Sequence, residues 1–379
     1  MNTSTPAREP NFANEKEAKM TRHPVRRLVF AAVALAAVLL PAIANAQAII
    51  KVNDDVWFRF GIQLQGWADW NQSAATSTYA QNLYLRRDRF LVTGSVAPGV
   101  TFFFQTDQPN LGKAPKAFGT GFVVQDAWME WKICDAFAID AGKYLVPLSR
   151  NELQSTVSFL TLDISPSSTV FLAPTGTDAT RDTGVEFKGY LGDGGHLEYR
   201  ASAQQGLRNL KSNNAFRYSG YLQYDFFDTE RGYVYAGTNL GKKKILALSG
   251  GYDAQEKYKA YSGDIFTNLP VGVGDEFGGQ YQFVHYDGGT FIPTLPRQNT
   301  HLVELAYYIS AAKFQPFGKF EQDSFASLKA DDIKRFGGGF HYYVYGQNLK
   351  LSAQYLRIMP KSPIKDTNEF TLAMQVFYN

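Results

Sequence analysis

Charged side chains carry most of the chemistry available to this chain of 379 residues, and their spacing assigns them a side. In residues 57–69, Arg59, Gly61, Gln63 and Gln65 alternate with Phe58, Phe60, Ile62 and Leu64. In residues 216–226, Arg217, Ser219, Gln223 and Asp225 alternate with Tyr218, Leu222, Tyr224 and Phe226, and Glu198, Arg200, Ser202 and Gln204 oppose Leu197, Tyr199 and Ala201. A period of two is that of a strand, so each charge faces away from an apolar stripe. The same parity puts Arg59, Arg87, Arg89, Lys132, Lys188, Arg200, Arg217, Lys319 and Lys350 on the polar face, although Arg86 and Asp88 alternate with Arg87 and Arg89. Asp126, Glu130, Asp140, Glu186, Glu198, Asp225, Glu304 and Glu321 join them there.

A face of Phe, Leu and Tyr opposite one of Arg, Gln and Asp fits a wall between lipid and water, since a Lys or Arg facing mid-membrane lipid costs about 2–4 kcal/mol. A soluble sandwich with its polar face outward shares the period. Charges of mixed sign on a pore wall read in two ways: as a salt-bridge lattice between strands, or as a transverse field that orients solutes. Lattice is the commoner use.

Signals for bond chemistry are weak. His23, His196, His285, His301 and His341 are scattered, and there is neither a Gly-x-Ser-x-Gly elbow nor a metalloprotease helix pattern. The stretch Gly237–Lys244 lacks the spacing of a phosphate-binding loop, and the lone Cys134 has no partner for a disulfide. The expectation is a protein without catalytic residues, cofactor or metal.

The elements that must position the charges follow from composition and punctuation. Tyrosine (22), phenylalanine (29) and glycine (33) are abundant while mean hydropathy is slightly negative, which suits two-faced β structure. Met20 opens a basic run (Arg22, Arg26, Arg27), followed by thirteen apolar residues, Leu28–Leu40, and Ala44-Asn45-Ala46. This reads as an extension and secretory signal peptide over residues 1–46, with Met1 or Met20 as the start and a mature barrel over 47–379; a spanning helix needs about 20 apolar residues. Beyond residue 46 the basic and acidic residues balance at 32 each, so nothing in the bulk charge points to nucleic acid.

Sixteen strands are expected, at about 56–70, 82–97, 100–107, 122–133, 136–144, 181–191, 195–204, 215–227, 243–254, 258–268, 276–286, 300–310, 313–321, 333–345, 348–358 and 367–379. Tight turns such as Pro98-Gly99 alternate with long loops such as Gln108–Gly121, the pattern of a transmembrane antiparallel up-and-down β-barrel of the outer membrane. Two connections break it, Asp228–Gly241 being long on the tight side and Gln255–Lys257 tight on the long side, which leaves 14 or 18 strands as alternatives to sixteen. The third long loop, Leu145–Thr180, does not alternate. It carries Pro147, Pro166 and Pro174 and an apolar centre of Val157, Phe159, Leu160 and Leu162, with only Arg150, Glu152, Asp163 and Asp178 charged. A connection of that length is usually functional, and it is expected to fold inward and narrow the pore, with Arg150 and Arg181 at its two ends as candidate selectivity residues.

These residues give a resemblance. The chain resembles the phosphate-selective porin O and P family through Leu85-Arg86-Arg87-Asp88-Arg89, through Gly142-Lys143-Tyr144-Leu145-Val146-Pro147-Leu148 leading into a loop with Ser167-Ser168, and through Arg181-Asp182-Thr183-Gly184-Val185 after it. Gly241-Lys242-Lys243-Lys244 and Gly346-Gln347-Asn348-Leu349-Lys350-Leu351 follow in order. The resemblance implies a sixteen-stranded barrel with an inward third loop, a homotrimer, and anion preference from a run of pore arginines and lysines. Two features depart from it: the chain ends Phe377-Tyr378-Asn379 rather than on an aromatic residue, and cations and acids on the inner face nearly match. The expected function is passive diffusion of small hydrophilic solutes or anions across outer-membrane lipid, through a size filter more than a phosphate trap. An outer-membrane enzyme or lipid-handling barrel, and a soluble exported sandwich that binds a ligand, are the rivals.

Overall fold

In lipid every backbone N–H and C=O must find a partner within the protein, so a wall of alternating strands is stable there only if it closes and leaves no edge. The computed structural model of the chain describes residues 49–114, 121–172, 174–177, 180–208, 213–327, 331–361 and 363–379. The expected signal peptide at 1–46 and Asp178 lie outside them. The strands are β1 (Ile49–Lys51), β2 (Trp57–Gln72), β3 (Tyr79–Ala97), β4 (Val100–Asp107), β5 (Val123–Cys134), β6 (Phe137–Leu145), β7 (Arg181–Leu191), β8 (Leu197–Gln204) and β9 (Arg217–Asp225). They continue with β10 (Ile245–Gln255), β11 (Tyr258–Val271), β12 (Asp275–Asp287), β13 (Gln298–Tyr308), β14 (Phe314–Phe325), β15 (Ile333–Gln347), β16 (Leu349–Pro360) and β17 (Thr367–Tyr378).

Each of the sixteen long strands β2–β17 pairs antiparallel with the next, and β17 closes the barrel on β2, from Glu369 opposite Asn71 to Tyr378 opposite Ile62. The three residues of β1 pair with β2 from Ile49 opposite Arg59 to Lys51 opposite Trp57, continuing the β17 side of β2 where the chain end leaves it open. Every expected strand corresponds to one of β2–β17.

Polarity runs opposite to that of a soluble protein. In β9, Arg217, Ser219, Tyr221, Gln223 and Asp225 are buried while Tyr218, Leu222 and Tyr224 are exposed. Phe60, Phe90, Trp131, Phe187, Leu248, Ile265, Leu305 and Leu372 present the same apolar exterior around the wall. The polar face is therefore inside, as a bilayer requires.

The two exceptions to loop sorting are present: β10 and β11 join through residues 256–257 only, and residues 226–244 form a long connection on the rim of tight turns.

Candidate functional site

The segment between β6 and β7 is held against the inward face of strands around the barrel. Its irregular backbone, with a four-residue helix α1 (Arg150–Leu153) and a 3-10 turn at Pro166–Ser168, leaves carbonyls and amides that the strand ladders do not satisfy. Side chains of the wall take them. Lys350 on β16 donates to the Val157 carbonyl at 2.7 Å, Gln65 on β2 donates to the Thr156 carbonyl at 3.2 Å, and the Asn151 amide donates to Gln282 on β12 at 3.1 Å. Thr161 donates to Glu304 at 2.6 Å and Ser167 to Glu321 at 3.1 Å.

The apolar centre docks as well. Leu160 and Leu162 pack with Ile245, Ala247, Phe266, Ala306 and Phe317, and Leu148 and Phe171 pack with Tyr258, Ala260, Val284 and Tyr286. Fully burying one such side chain stabilises by about 1.5–3 kcal/mol. Gly251 on β10 makes the approach possible, because a Cβ there would lie 2.0 Å from the Leu148 carbonyl oxygen.

Between this segment and the wall of β2–β5 remains a cavity of about 530 Å³. Arg59, Arg86, Arg87, Arg89 and Arg181 line it, with Asp107, Asp126 and Glu152 as the acids. Ser155, Thr156 and Val157 face them from the loop, and Tyr233 and Val234 from the connection 226–244. Arg181 donates twice to Asp126, at 3.0 and 3.1 Å, and Arg89 donates to Asp107 at 2.8 Å and to Thr156 at 3.1 Å. Asp163 of the loop accepts from Arg86 at 2.9 Å and also from Arg87. Among the described residues Arg59 has no ion pair.

The other expected lumen cations lie apart from this cavity, and most are paired. Lys188 bridges Glu130 and Asp140, both at 2.7 Å; Arg200 pairs with Glu198 at 2.8 Å, Arg217 with Asp253 at 2.5 Å, and Lys319 with Glu321 at 2.7 Å. This is a lattice of the kind that ties strands together. Lys350 serves the loop backbone, and Lys132, half-exposed, pairs with Asp135 at the tight-turn rim. Arg150 is fully buried, 2.7 Å from Glu230 and with Phe266 and Tyr235 against its guanidinium. It does not line the cavity.

Parity misses two contributors. The register of β2 and β3 steps from Gln65 opposite Arg87 to Gly66 opposite Leu85, so Arg86 is an extra, bulged residue. A bulge breaks the alternation, and it lets consecutive arginines reach the same aspartate. Tyr233 comes from a connection whose only sequence signal is its unusual length.

Two loop carboxyls are shifted in opposite directions. Burial, with Asp253 and Asp264 nearby, raises the pKa of Glu152 well above its ordinary value. Burial would raise that of Asp163 too, but Arg86 and Arg87 outweigh it and hold this carboxyl well below the usual range. Glu152 therefore ionises less readily than a formal count of the acids facing the five arginines assumes.

A closed sixteen-stranded barrel with an apolar exterior and a charged interior defines the class: a porin, a channel of the outer membrane for small solutes. Residues 60–226 match the model of the phosphate-selective porin O and P family. Solved structures share the fold at low identity. An anion-selective porin from Comamonas acidovorans superposes with a TM-score of 0.59 at 11% identity, covering 88% of this chain and 100% of that one. Pseudomonas putida OprB gives 0.63 at 9%, covering 85% and 94%, and the trimer form of OmpT from Vibrio cholerae gives 0.52 at 11%, covering 86% and 100%. No curated protein matches the sequence.

Proposed function

We propose that the chain is a diffusion porin with a preference for anions, and that solutes pass between the loop 146–180 and the arginine-bearing wall of β2–β5. The observation that carries this reading is the cavity, whose lining has five arginines and three acids, with Asp163 a fourth acid bonded to Arg86 and Arg87. An excess of one sign in a narrow, low-dielectric opening concentrates the opposite ion. Because nearly every guanidinium also holds a carboxylate or carboxamide, no site is left ready-made to strip a phosphate of its water, and the preference extends to small anions in general. Phosphate enters as one of them. No bond is made or broken in such passage, so the chain acts as a channel and not as an enzyme.

The family's phosphate-selective description and the anion selectivity of the Comamonas porin agree with this reading. Residues 1–46 act as the export signal and are removed, and the mature barrel assembles as a homotrimer, as the OmpT trimer form does. The test is electrical. The purified protein in planar lipid bilayers is expected to give conductance steps, with a reversal potential in a salt gradient of the sign set by anions. Absence of steps, or the cation sign, overturns the proposal.

A further inference from the structure

The connection 226–244 starts at the rim of tight turns, yet it enters the lumen and joins the loop that arrives from the opposite rim. The joint is partly backbone: the Tyr235 amide donates to the Leu153 carbonyl at 2.9 Å and the Ser155 amide donates to the Tyr235 carbonyl at 2.8 Å, a short parallel bridge. A buried ion pair locks it, Arg150 to Glu230 at 2.7 Å with 0% and 6% of the side chains exposed, and Arg150 donates also to the Ala236 carbonyl at 3.3 Å. Contact is too close for a side chain at Gly237, where a Cβ would stand 2.4 Å from the Ser158 carbonyl oxygen and 2.8 Å from the Phe159 Cα.

The same connection touches the passage. The Tyr233 hydroxyl donates to Asp126 at 2.5 Å, the carboxylate that holds Arg181, and accepts from the Leu145 amide at 2.9 Å. Its ring lies 4.7 Å from that of Trp128 on the wall. One segment thus spaces the wall, the Arg181–Asp126 pair and the start of the loop. A tight turn would join β9 to β10 without any of this.

On the reading of the chain as a porin, we propose that residues 226–244 are the second half of the constriction: a brace from the tight-turn rim that positions the loop 146–180 and fixes the width of the arginine-lined passage. Arg150 and Glu230 are positioning residues. They lie outside the cavity lining and act through the loop. Elsewhere the loop is held by side-chain hydrogen bonds to the wall, by its apolar seat and by the Asp163 pair with Arg86 and Arg87, whereas the brace adds backbone bonds and a further buried ion pair that is costly to break on one side.

Single-channel recording tests this with Glu230→Gln, which leaves the Arg150 charge buried without its partner, and Gly237→Ala, which pushes the brace off the loop backbone. Gly263→Ala is the control, since a Cβ there meets nothing within 4 Å. Folding of each variant is checked by heat-modifiable electrophoretic mobility. Both test variants are expected to show several-fold higher open-channel current noise and an altered mean conductance, with the control unchanged. Native noise and conductance in folded Glu230→Gln overturn the brace, and that variant decides alone if Gly237→Ala does not fold. A wild-type protein without conductance overturns the porin reading and the brace with it.

Discussion

At the scale of residues, pairing decides which cations a solute meets. Arg217, Arg200, Lys188 and Lys319 are neutralised locally by buried acids, so their charge ties strands and contributes little field to the passage. Arg181→Ala removes a cation of the cavity and frees Asp126, and is expected to lower the ratio of anion to cation permeability, read from reversal potentials. Arg150→Ala is expected to leave that ratio within error while raising current noise, because Arg150 acts on the loop. Glu152 gives the pH dependence. Burial, with Asp253 and Asp264 nearby, favours its protonated form, so it gains a negative charge as pH rises through the raised pKa. Anion preference is therefore expected to fall as pH rises through that raised pKa, and reversal potentials of Glu152→Gln are expected to lose this fall. Asp163, shifted the other way, stays ionised over the same range and keeps its hold on Arg86 and Arg87.

At the scale of elements, the loop behaves as a small core of its own, seated on apolar side chains that the barrel directs inward at Ile245, Ala247 and Phe266. Leu160→Ala removes the centre of that contact and is expected to cost about 2–5 kcal/mol of docking free energy. Limited proteolysis of the purified barrel is expected to cut within 146–180 faster in this variant than in the wild type. The strands themselves were legible because a bilayer wall imposes its period on every one of them: Arg59, Gln63 and Gln65 could be placed inside from Phe60, Ile62 and Leu64 alone. What escaped was local departure from the period. The bulge at Arg86 leaves no mark that distinguishes it from an ordinary alternation of Arg and Asp. The course of 226–244 depends on contacts with residues some eighty positions away, such as Tyr235 with Leu153, which no local pattern encodes.

At the scale of the whole molecule, balanced charge conceals an uneven distribution. The lattice occupies β5–β10 and β13–β15, while the arginines that face the cavity come from β2, β3 and the start of β7. Near-equal signs on the inner face are compatible with this segregation, which depends on where the loop lies. Arg217→Ala is expected to lower barrel stability by about 3–5 kcal/mol, because it strands Asp253 in the interior. Urea unfolding followed by heat-modifiable mobility reads that loss, and ion preference is expected to stay native. Arg59→Ala does the reverse: it removes a cavity cation that has no ion pair among the described residues, so no acid is left stranded. The reversal potential in a potassium chloride gradient, wild type against Arg59→Ala, therefore tests the location of the passage most directly. The arginine-lined route predicts an anion-selective wild type and a variant whose potential moves toward zero. Identical potentials in the two proteins would contradict it.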